Sequence, residues 1–345
     1  MDLKTLFPQT LIGSLPYTDP IEAVNLVLSK FKHIPIWPQL PKKSFYESMY
    51  VQYSENAPRL KIDESERKVW FNTMGDYSLE LSEFYEKVLS KDVEYFKISQ
   101  DYAAGFYAFL NEIKKQKPSE ILYLKGQVTG PISFGLSVLD QNKRSILYNE
   151  EFSDVVVKTI AMKAKWQIRK LKHVFKDVIL FIDEPYLVSI GSSFASLDRK
   201  DVINKLNEVI EAVQQEGAFC GIHCCGNTDW ALLMETKAEI ISFDSYNYID
   251  SMSLYADRLK DYLKKGGVIA WGIVPTSQEI EKETGDSLFK RFQHDVETLA
   301  KKGIQKDLLS SQAIITPSCG MGTLPLAQAQ KCIDVLLELT QRLQK

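Results

Sequence analysis

The stretch DVILFIDEP, residues 177–185, decides the fold. It is a short apolar run followed by two acidic residues and a proline, a pattern that predicts a strand passing into a loop. The next stretch, 202–215, has apolar residues at steps of three and four and predicts an amphipathic helix. It leads to AFCGIHCCG, residues 218–226, which predicts another strand. An order of strand, helix and strand is typical of a parallel sheet.

The same alternation continues through nearly the whole chain of 345 residues. Further apolar runs that predict strands lie at 10–16, 33–39, 120–131, 238–246, 267–275 and 313–320. Eight strands that alternate with helices predict a closed (β/α)8 TIM barrel, an α/β fold. Because no linker or low-complexity tract divides the sequence, we interpret residues 1–345 as a single domain.

One interval between the predicted strands is much longer than the others. About eighty residues separate the second run from the third, and they include the aromatic stretch SFYESMYVQY, residues 44–53. We interpret residues 40–118, approximately, as a partly helical insertion between strands two and three that can roof the barrel mouth. Aromatic residues at helical spacing more often indicate packing than a substrate site.

Composition and charge exclude several classes of function. The net charge of −3 leaves no basic excess, which argues against a nucleic-acid partner. No apolar run approaches the roughly 18 residues of a membrane span, and the first ten residues lack the order of a signal peptide, so we expect a cytoplasmic protein without membrane contact. Five cysteines at irregular spacing favour thiols and metal ligands over a disulfide framework.

Polar residues cluster where the predicted strands end. In a barrel of this type the strand ends and the following loops converge on one mouth, where active sites form. The residues at these ends are Gly13, Ser14, Gln39, Gln127, Thr129, Asp183, Glu184, His223, Cys225, Asp244 and Cys319. The sequence therefore places its chemistry at the barrel mouth.

A His-x-Cys pair indicates a metal site among these residues. Side chains alternate along a strand, so His223 and Cys225 face one side while Cys224 faces the other. Zinc binds histidine nitrogen and cysteine sulfur, and catalytic zinc sites commonly keep three protein ligands and one open position. Cys319 ends the last predicted strand at the same mouth, and we interpret it as the third ligand.

The remaining candidates divide into carboxylates and structural residues. Asp244 or Glu184 can supply a fourth, exchangeable ligand. Cysteine is among the most buried residue types, so we interpret the other cysteines as core residues. These core residues are Cys220, Cys224 and Cys332, and we interpret His33, His173 and His294 as structural or solvated.

Four motifs resemble those of a known superfamily. They are TLIGSLP (10–16), FIDEP (181–185), HCCGNT (223–228) and PSCG (317–320). Their order and spacing resemble the superfamily that contains cobalamin-independent methionine synthase, methylcobamide:coenzyme M methyltransferase and uroporphyrinogen decarboxylase. The His-x-Cys pair with a distant cysteine is the specific part of this resemblance.

The resemblance implies a (β/α)8 barrel that holds zinc through His223, Cys225 and Cys319. Asp244 stands where methionine synthase has a glutamate ligand. Ser14 would hold a substrate carboxylate, and Asp183 would contact an amino acid substrate. The full set of substrate-binding candidates is Gly13, Ser14, Gln127 and Asp183, and the catalytic candidates are Asp183, Glu184 and Asp244.

These residues predict a zinc-dependent S-methyltransferase. A small thiol, such as homocysteine or coenzyme M, would be activated as its thiolate and methylated. The folate-using methionine synthase carries a second barrel, for which this chain has no room, so we expect a methylated corrinoid on a partner protein as donor. The alternatives are a uroporphyrinogen decarboxylase-like enzyme and a non-catalytic metal- or ligand-binding barrel.

Overall fold

The computed structural model describes residue 3 and residues 7–190 and 197–344. In chain order, its strands are β1 (Leu60–Asp63), β2 (Lys68–Phe71), β3 (Leu124–Thr129), β4 (Leu139–Asp140), β5 (Val178–Asp183), β6 (Phe219–Cys224), β7 (Ile240–Phe243), β8 (Val268–Val274) and β9 (Ala313–Pro317). The α-helices are α1 (Pro20–Lys30), α2 (Ser78–Leu89), α3 (Ala104–Gln116), α4 (Pro131–Ser137), α5 (Glu150–Lys172), α6 (Arg199–Gln215), α7 (Trp230–Glu235), α8 (Ser245–Ser253), α9 (Ala256–Lys264), α10 (Gly285–Lys301), α11 (Lys306–Ser311) and α12 (Leu326–Leu343). None of the helices described is both long and apolar enough to cross a membrane.

The main sheet is parallel and has six strands, in the order β3, β5, β6, β7, β8, β9. Six of the eight predicted strands are therefore present as regular strands. The register places Asp183 of β5 opposite His223 of β6, and His223 opposite Ser242 of β7. This register brings the carboxyl ends of neighbouring strands, where the polar residues stand, to one edge of the sheet.

The other two predicted strands are extended segments instead of regular strands. Isolated parallel bridges pair Gln9, just before the first segment (10–16), with Ile315 of β9, and Ile36 of the second segment (33–39) with Lys125 of β3, while a third bridge, Ser14 with Gln39, joins the two segments to each other. The regular sheet is thus an open, half-barrel-like sheet and not a closed barrel of eight strands. Prolines explain the difference, because Pro8, Pro16, Pro35 and Pro38 have no N–H group to donate to a ladder.

Alternate residues of the main sheet face two different apolar cores. One face carries a small cluster made of Ile34, Tyr123, Ile179, Phe181, Ile240, Val268, Ala270 and Ile314. We call this the inner face. Leu180, Ile182, Ile222 and Cys224 point the other way and belong to the large core shared with the helices, which defines the outer face. Asp183 and His223 continue the inner face toward the carboxyl ends of β5 and β6.

The long interval between the second and third predicted strands contains more than helices. It holds two short 3-10 helices (Phe45–Glu47 and Val51–Tyr53), an antiparallel pair formed by β1 and β2, and then α2 and α3. Strand β4 joins β2 to form a second, three-stranded sheet. Residues 41 and 47–49 line the cavity described below, so part of this interval reaches the carboxyl ends of the main strands.

Candidate metal centre

A cavity of about 400 Å³ opens at the carboxyl ends of the main strands. Its walls come from both extended segments, from three strands of the sheet and from the 3-10 helix at 45–47. The polar residues of the lining include Ser14, Gln39, Glu47, Thr129, Asp183 and His223, together with Cys225 and Cys319. The cavity thus gathers many of the polar residues that the sequence places at strand ends.

Three of these residues form a compact group of metal-ligand atoms. His223, Cys225 and Cys319 each offer one ligand atom, and these atoms lie within 4.8 Å of one another. His223 is the inner-face residue near the end of β6, and Cys225 follows it on the same side. Cys319 stands two residues after the end of β9, a separate strand of the sheet. Cys224, between the first two, is buried in the outer core.

The imidazole of His223 is oriented for ligation. Its Nδ1 lies 2.9 Å from Oγ of Ser242 on β7, and the ring is buried. Its Nε2 is shielded from solvent and has no hydrogen-bond partner among the residues described. Donation from Nδ1–H to Ser242 leaves the Nε2 lone pair free, which is the arrangement that metal-bound histidines use.

The pKa values of the two cysteine thiols are shifted in opposite directions. The neighbouring Cys319 thiol, together with the His223 imidazole, lowers the pKa of Cys225 to about 4. The same interaction with Cys225, together with burial, raises the pKa of Cys319 well above its usual value. The two thiols are therefore close enough for the charge of one to oppose the ionisation of the other. One nitrogen and two sulfur donors, with the nitrogen otherwise unpartnered, fit zinc.

Asp183 faces the same cavity with an unused acceptor. Its side chain is half-buried, and Oδ1 is shielded from solvent without a partner among the residues described. Burial raises the pKa of Asp183 to about 6, while the charges of His223 and Lys125 act in the opposite direction. A polar group of a bound ligand is the natural partner for this oxygen.

Glu184 and Asp244, the other predicted carboxylates, bind the starts of helices. Glu184 accepts hydrogen bonds from the amides of Ile132 and Ser133 at 2.9 and 2.8 Å and from the Ser133 hydroxyl at 2.6 Å. Asp244 caps α8 by accepting from the amide and side chain of Asn247 at 3.0 and 2.7 Å. Neither lines the cavity or belongs to the group of three ligand atoms, because each satisfies unpaired N–H groups of a helix.

The predicted substrate residues occupy different positions. Ser14 lines the cavity, and its hydroxyl accepts a hydrogen bond from the amide of Gly322 at 3.1 Å. Gln127 lies beneath the cavity, where Nε2 donates to the carbonyl of Trp37 at 3.0 Å. Gly13 packs between Gln39 and Gln127, and a Cβ there would approach Oε1 of Gln39 to 2.4 Å. Gly13 and Gln127 therefore support the wall that Ser14 exposes.

Two residues near the cavity, Glu47 and Lys125, are not among the candidates predicted from the sequence. Glu47 is buried in the lining and accepts from the amides of Leu40 and Ala104, and burial raises its pKa to about 7. Lys125 is fully buried on the inner face of β3. Glu47 follows no strand, and Lys125 stands early in its strand, so the rule of searching strand ends could find neither of them.

The fold and the site together define a class: a mixed α/β protein with a parallel, half-barrel-like sheet and a candidate His/Cys metal cluster at its carboxyl ends. No protein-family profile matches the sequence, and no curated protein is significantly similar to it. The structure is similar to that of a protein from Listeria monocytogenes that is provisionally described as a vitamin-B12 independent methionine synthase. The match has a TM-score of 0.52 at 13% identity and covers 99% of this chain and 97% of that chain. At this identity the similarity shows the fold alone.

Proposed function

We propose that this protein is a zinc-dependent S-methyltransferase that methylates a small thiol. One observation carries the proposal: His223, Cys225 and Cys319 bring an unpartnered nitrogen and two sulfurs together inside a cavity. Three protein donors of this kind leave one position of a tetrahedral ion open, as in catalytic zinc sites. The protein of similar fold described above is itself described as a methionine synthase, an enzyme of this class.

The residues of the cavity have separate tasks in this proposal. A zinc ion bound there would lower the pKa of a thiol that binds at its open position and would hold the resulting thiolate. Ser242 fixes the orientation of His223, and Cys225 and Cys319 supply two thiolates once both have lost their protons. Asp183 and Ser14, which both line the cavity, orient the rest of the thiol substrate.

The charge of the cavity favours a thiol that carries an amino group. Asp183 and Glu47 are acidic, and the lining contains no lysine or arginine within the described parts of the chain. Acidic walls attract a cation and repel an anion. Homocysteine offers an ammonium group to these acids, and in the proposal its carboxylate binds at Ser14, whereas coenzyme M offers a sulfonate and no cationic group. We therefore propose an amino thiol as the acceptor.

We further propose that the methyl donor is a methylated corrinoid carried by a partner protein. In the transfer, the thiolate sulfur forms a bond to the methyl carbon as the donor's bond to that carbon breaks. The donor keeps the electron pair of the broken bond, and the thiol proton passes to solvent. In this proposal the donor reaches the bound thiol through the opening of the cavity at the carboxyl ends of the strands.

The two alternatives find less support in this cavity. A decarboxylase of the uroporphyrinogen type binds a substrate rich in carboxylates, and the lining described above offers it no cation. A structural zinc site is usually closed by four protein ligands. The group found among the described residues has three members, which favours an open site.

The test combines metal content with methyl transfer. Zinc would be measured by elemental analysis on protein purified without added metal, for the wild type and for Cys225→Ser and Cys319→Ser. The same proteins would be mixed with methylcobalamin and either homocysteine or coenzyme M, and the methylated thiol would be followed by mass spectrometry. A methylated corrinoid protein would replace free methylcobalamin in a parallel reaction.

We expect stoichiometric zinc and methylation of homocysteine in preference to coenzyme M in the wild type, and loss of both zinc and transfer in the two variants. A wild-type protein without stoichiometric metal would contradict the metal site. Metal without transfer from either donor would contradict the methyltransferase activity. Preferred methylation of coenzyme M would contradict the choice of an amino thiol.

A further inference from the structure

Lys125 connects the edge of the regular sheet to both extended segments. Its amide donates to the carbonyl of Pro35 at 3.0 Å, and its own carbonyl accepts from the amide of Trp37 at 3.4 Å. Its side chain crosses to the first segment, where Nζ donates to the carbonyl of Ile12 at 2.5 Å. The ammonium group also lies 4.2 Å from the centre of the Phe181 ring. One buried residue thus binds both segments.

Gln127, the next inner-face residue of β3, continues this connection. Its Nε2 donates to the carbonyl of Trp37 at 3.0 Å. Its backbone groups are bonded by side chains in place of a neighbouring strand: the amide donates to Gln167 at 3.2 Å, and the carbonyl accepts from Gln167 and from the hydroxyl of Tyr53. The backbone ladder between β3 and the second segment therefore stops at Lys125, and side chains take its place beyond that point.

The region where side chains take the place of the backbone ladder lies directly beneath the candidate site. The first segment supplies Ile12 and Ser14 to the cavity wall, and the second supplies Gln39. Within the parts described, backbone hydrogen bonds between the two segments are confined to the two that form the isolated Ser14–Gln39 bridge, from the amide of Leu15 to the carbonyl of Gln39 and from the amide of Gln39 to the carbonyl of Gly13. With so few backbone bonds between the segments, the side chains that reach them from β3 help to set the position of this wall, together with hydrogen bonds of Gln39 to Gln52 and Tyr53 and of Ser14 to Gly322.

We propose that Lys125 and Gln127 are positioning residues that hold the two extended segments in place and so fix the cavity wall formed by Ile12, Ser14 and Gln39. They act through the segments and touch no reacting atom. The identity of the ligand in the test rests on the proposed function, whereas the holding role stands on the contacts alone. The holding role and the effect on thiol binding can therefore be refuted separately.

Lys163 offers a matched control for Lys125. Both lysines are fully buried, burial lowers the pKa of both, and each donates to a single backbone carbonyl, that of Lys97 in the case of Lys163. Lys163 lies on α5, its hydrogen bond leads to neither segment, and it is not among the residues that line the cavity. Lys125→Met and Lys163→Met therefore remove the same chemical group from two buried places.

The first readout is amide hydrogen exchange in peptides that cover residues 9–16 and 34–40. In Lys125→Met, we expect these amides to exchange about tenfold faster than in the wild type, relative to the amides of β7 and β8 in the same protein. In Lys163→Met, we expect the ratio to stay at the wild-type value. Unchanged relative exchange in Lys125→Met would overturn the proposal whatever ligand the cavity takes.

The second readout is thiol affinity in the cobalt(II)-substituted protein, measured by titration with homocysteine while the visible bands of cobalt are followed. We expect Lys125→Met to retain stoichiometric cobalt and its thiol-free spectrum and to need about tenfold more homocysteine for half-saturation. Lys163→Met should titrate like the wild type. Faster exchange with an unchanged titration would overturn the positioning role.

Gln127→Met keeps the test decisive if Lys125→Met does not fold. This variant has nearly the same volume and removes no charge, and it loses only the bond to Trp37 and the amide oxygen, which has no partner within the described parts of the chain. We expect faster relative exchange in 34–40 and a severalfold weaker thiol affinity. Wild-type values for both would overturn the proposal. A wild-type protein that binds metal but no thiol would refute the proposed function, and the exchange result would then decide the holding role alone.

Discussion

At the carboxyl end of the main sheet, inner-face residues and their sequence neighbours on the outer face differ in whether their polar atoms have partners. On the inner face, Asp183 and His223 each keep one buried atom without a partner in the described structure. On the outer face, Glu184 accepts three hydrogen bonds at the start of α4, and Cys224 packs in the core and donates to the carbonyl of Gly226. Residues adjacent in sequence thus keep an unpartnered atom on the inner face and support the fold on the outer face.

This difference has an energetic meaning. A buried polar atom without a partner costs about 1–3 kcal/mol, so a protein keeps several of them in one place only where something else offsets the cost. A bound metal ion and a polar substrate would do so on the inner face. We therefore expect substitutions on the inner face to reduce binding, and substitutions of their outer neighbours to reduce the free energy of unfolding.

The largest effect is expected from the adjacent cysteines Cys224 and Cys225. Cys225→Ala removes one of three donors and should weaken zinc affinity by roughly a hundredfold or more, because each ligand contributes several kcal/mol. Cys224→Ala should keep its zinc and lose about 1–2 kcal/mol of stability through a small cavity. Competition with a chromophoric chelator and urea unfolding would measure the two quantities. Comparable zinc loss in both variants would contradict the expectation that only inner-face substitutions reduce binding.

The adjacent acids Asp183 and Glu184 give the next test. Asp183→Asn should weaken binding of an amino thiol to the metal-loaded protein by about tenfold or more, since it removes a charged acceptor from the cavity. Glu184→Gln should leave thiol binding unchanged and lower the free energy of unfolding by about 2 kcal/mol, because the amide cannot accept all three bonds at the start of α4. Calorimetric titration and urea unfolding of both variants would decide. The comparison fails if Glu184→Gln changes thiol affinity as much as Asp183→Asn does.

A smaller effect is expected at Ser242, which supports the metal ligand His223 from β7. Loss of such a support typically costs about tenfold in metal affinity, and we expect this value for Ser242→Ala. Ser245→Ala is the matched control, because Ser245 is also fully buried and its hydroxyl has no partner within the described residues. Zinc affinity should be unchanged in this control. Equal affinities for Ser242→Ala and the wild type would show that His223 is oriented by its packing alone.

The smallest effect tests whether an unpartnered carboxylate oxygen marks function by itself. Asp295 on α10 is buried with such an oxygen, far along the chain from the cluster, and burial raises its pKa to about 7, opposed by Arg291 and assisted by Asp250. Between about pH 4 and pH 7 the folded state keeps a proton that the unfolded state releases, so this group's contribution to stability falls as the pH rises.

Asp295→Asn removes this titration and should gain stability relative to the wild type across that pH range, reaching about 1 kcal/mol at pH 8. Zinc and thiol binding should be unaffected. Urea unfolding of both proteins at several pH values would measure the difference. A stability difference that does not grow with pH would contradict the raised pKa of Asp295. Weaker zinc binding would show that an unpartnered carboxylate outside the cavity lining also affects the metal site.

The sequence by itself determined the features that depend on neighbouring residues. Apolar runs gave six of the strands, and alternation along a strand placed His223 and Cys225 on one side and Cys224 on the other. These features follow from backbone geometry that repeats every two residues, so no distant contact is needed to predict them. The prolines near both extended segments also stand in the sequence, but the apolar pattern from which the strands are predicted gives them no weight.

Only the tertiary structure decided which candidates meet. Cys319 joins His223 because β9 and β6 end at one edge of a sheet, a relation between residues far apart in the chain. Glu184 and Asp244 turn to helix starts, since the nearest unsatisfied amides are there. Lys125 crosses from β3 to Ile12, in another part of the chain, where prolines prevent a regular ladder. Such partners are set by the packing of whole elements. A local pattern of residue types therefore does not predict which groups the fold leaves unpaired.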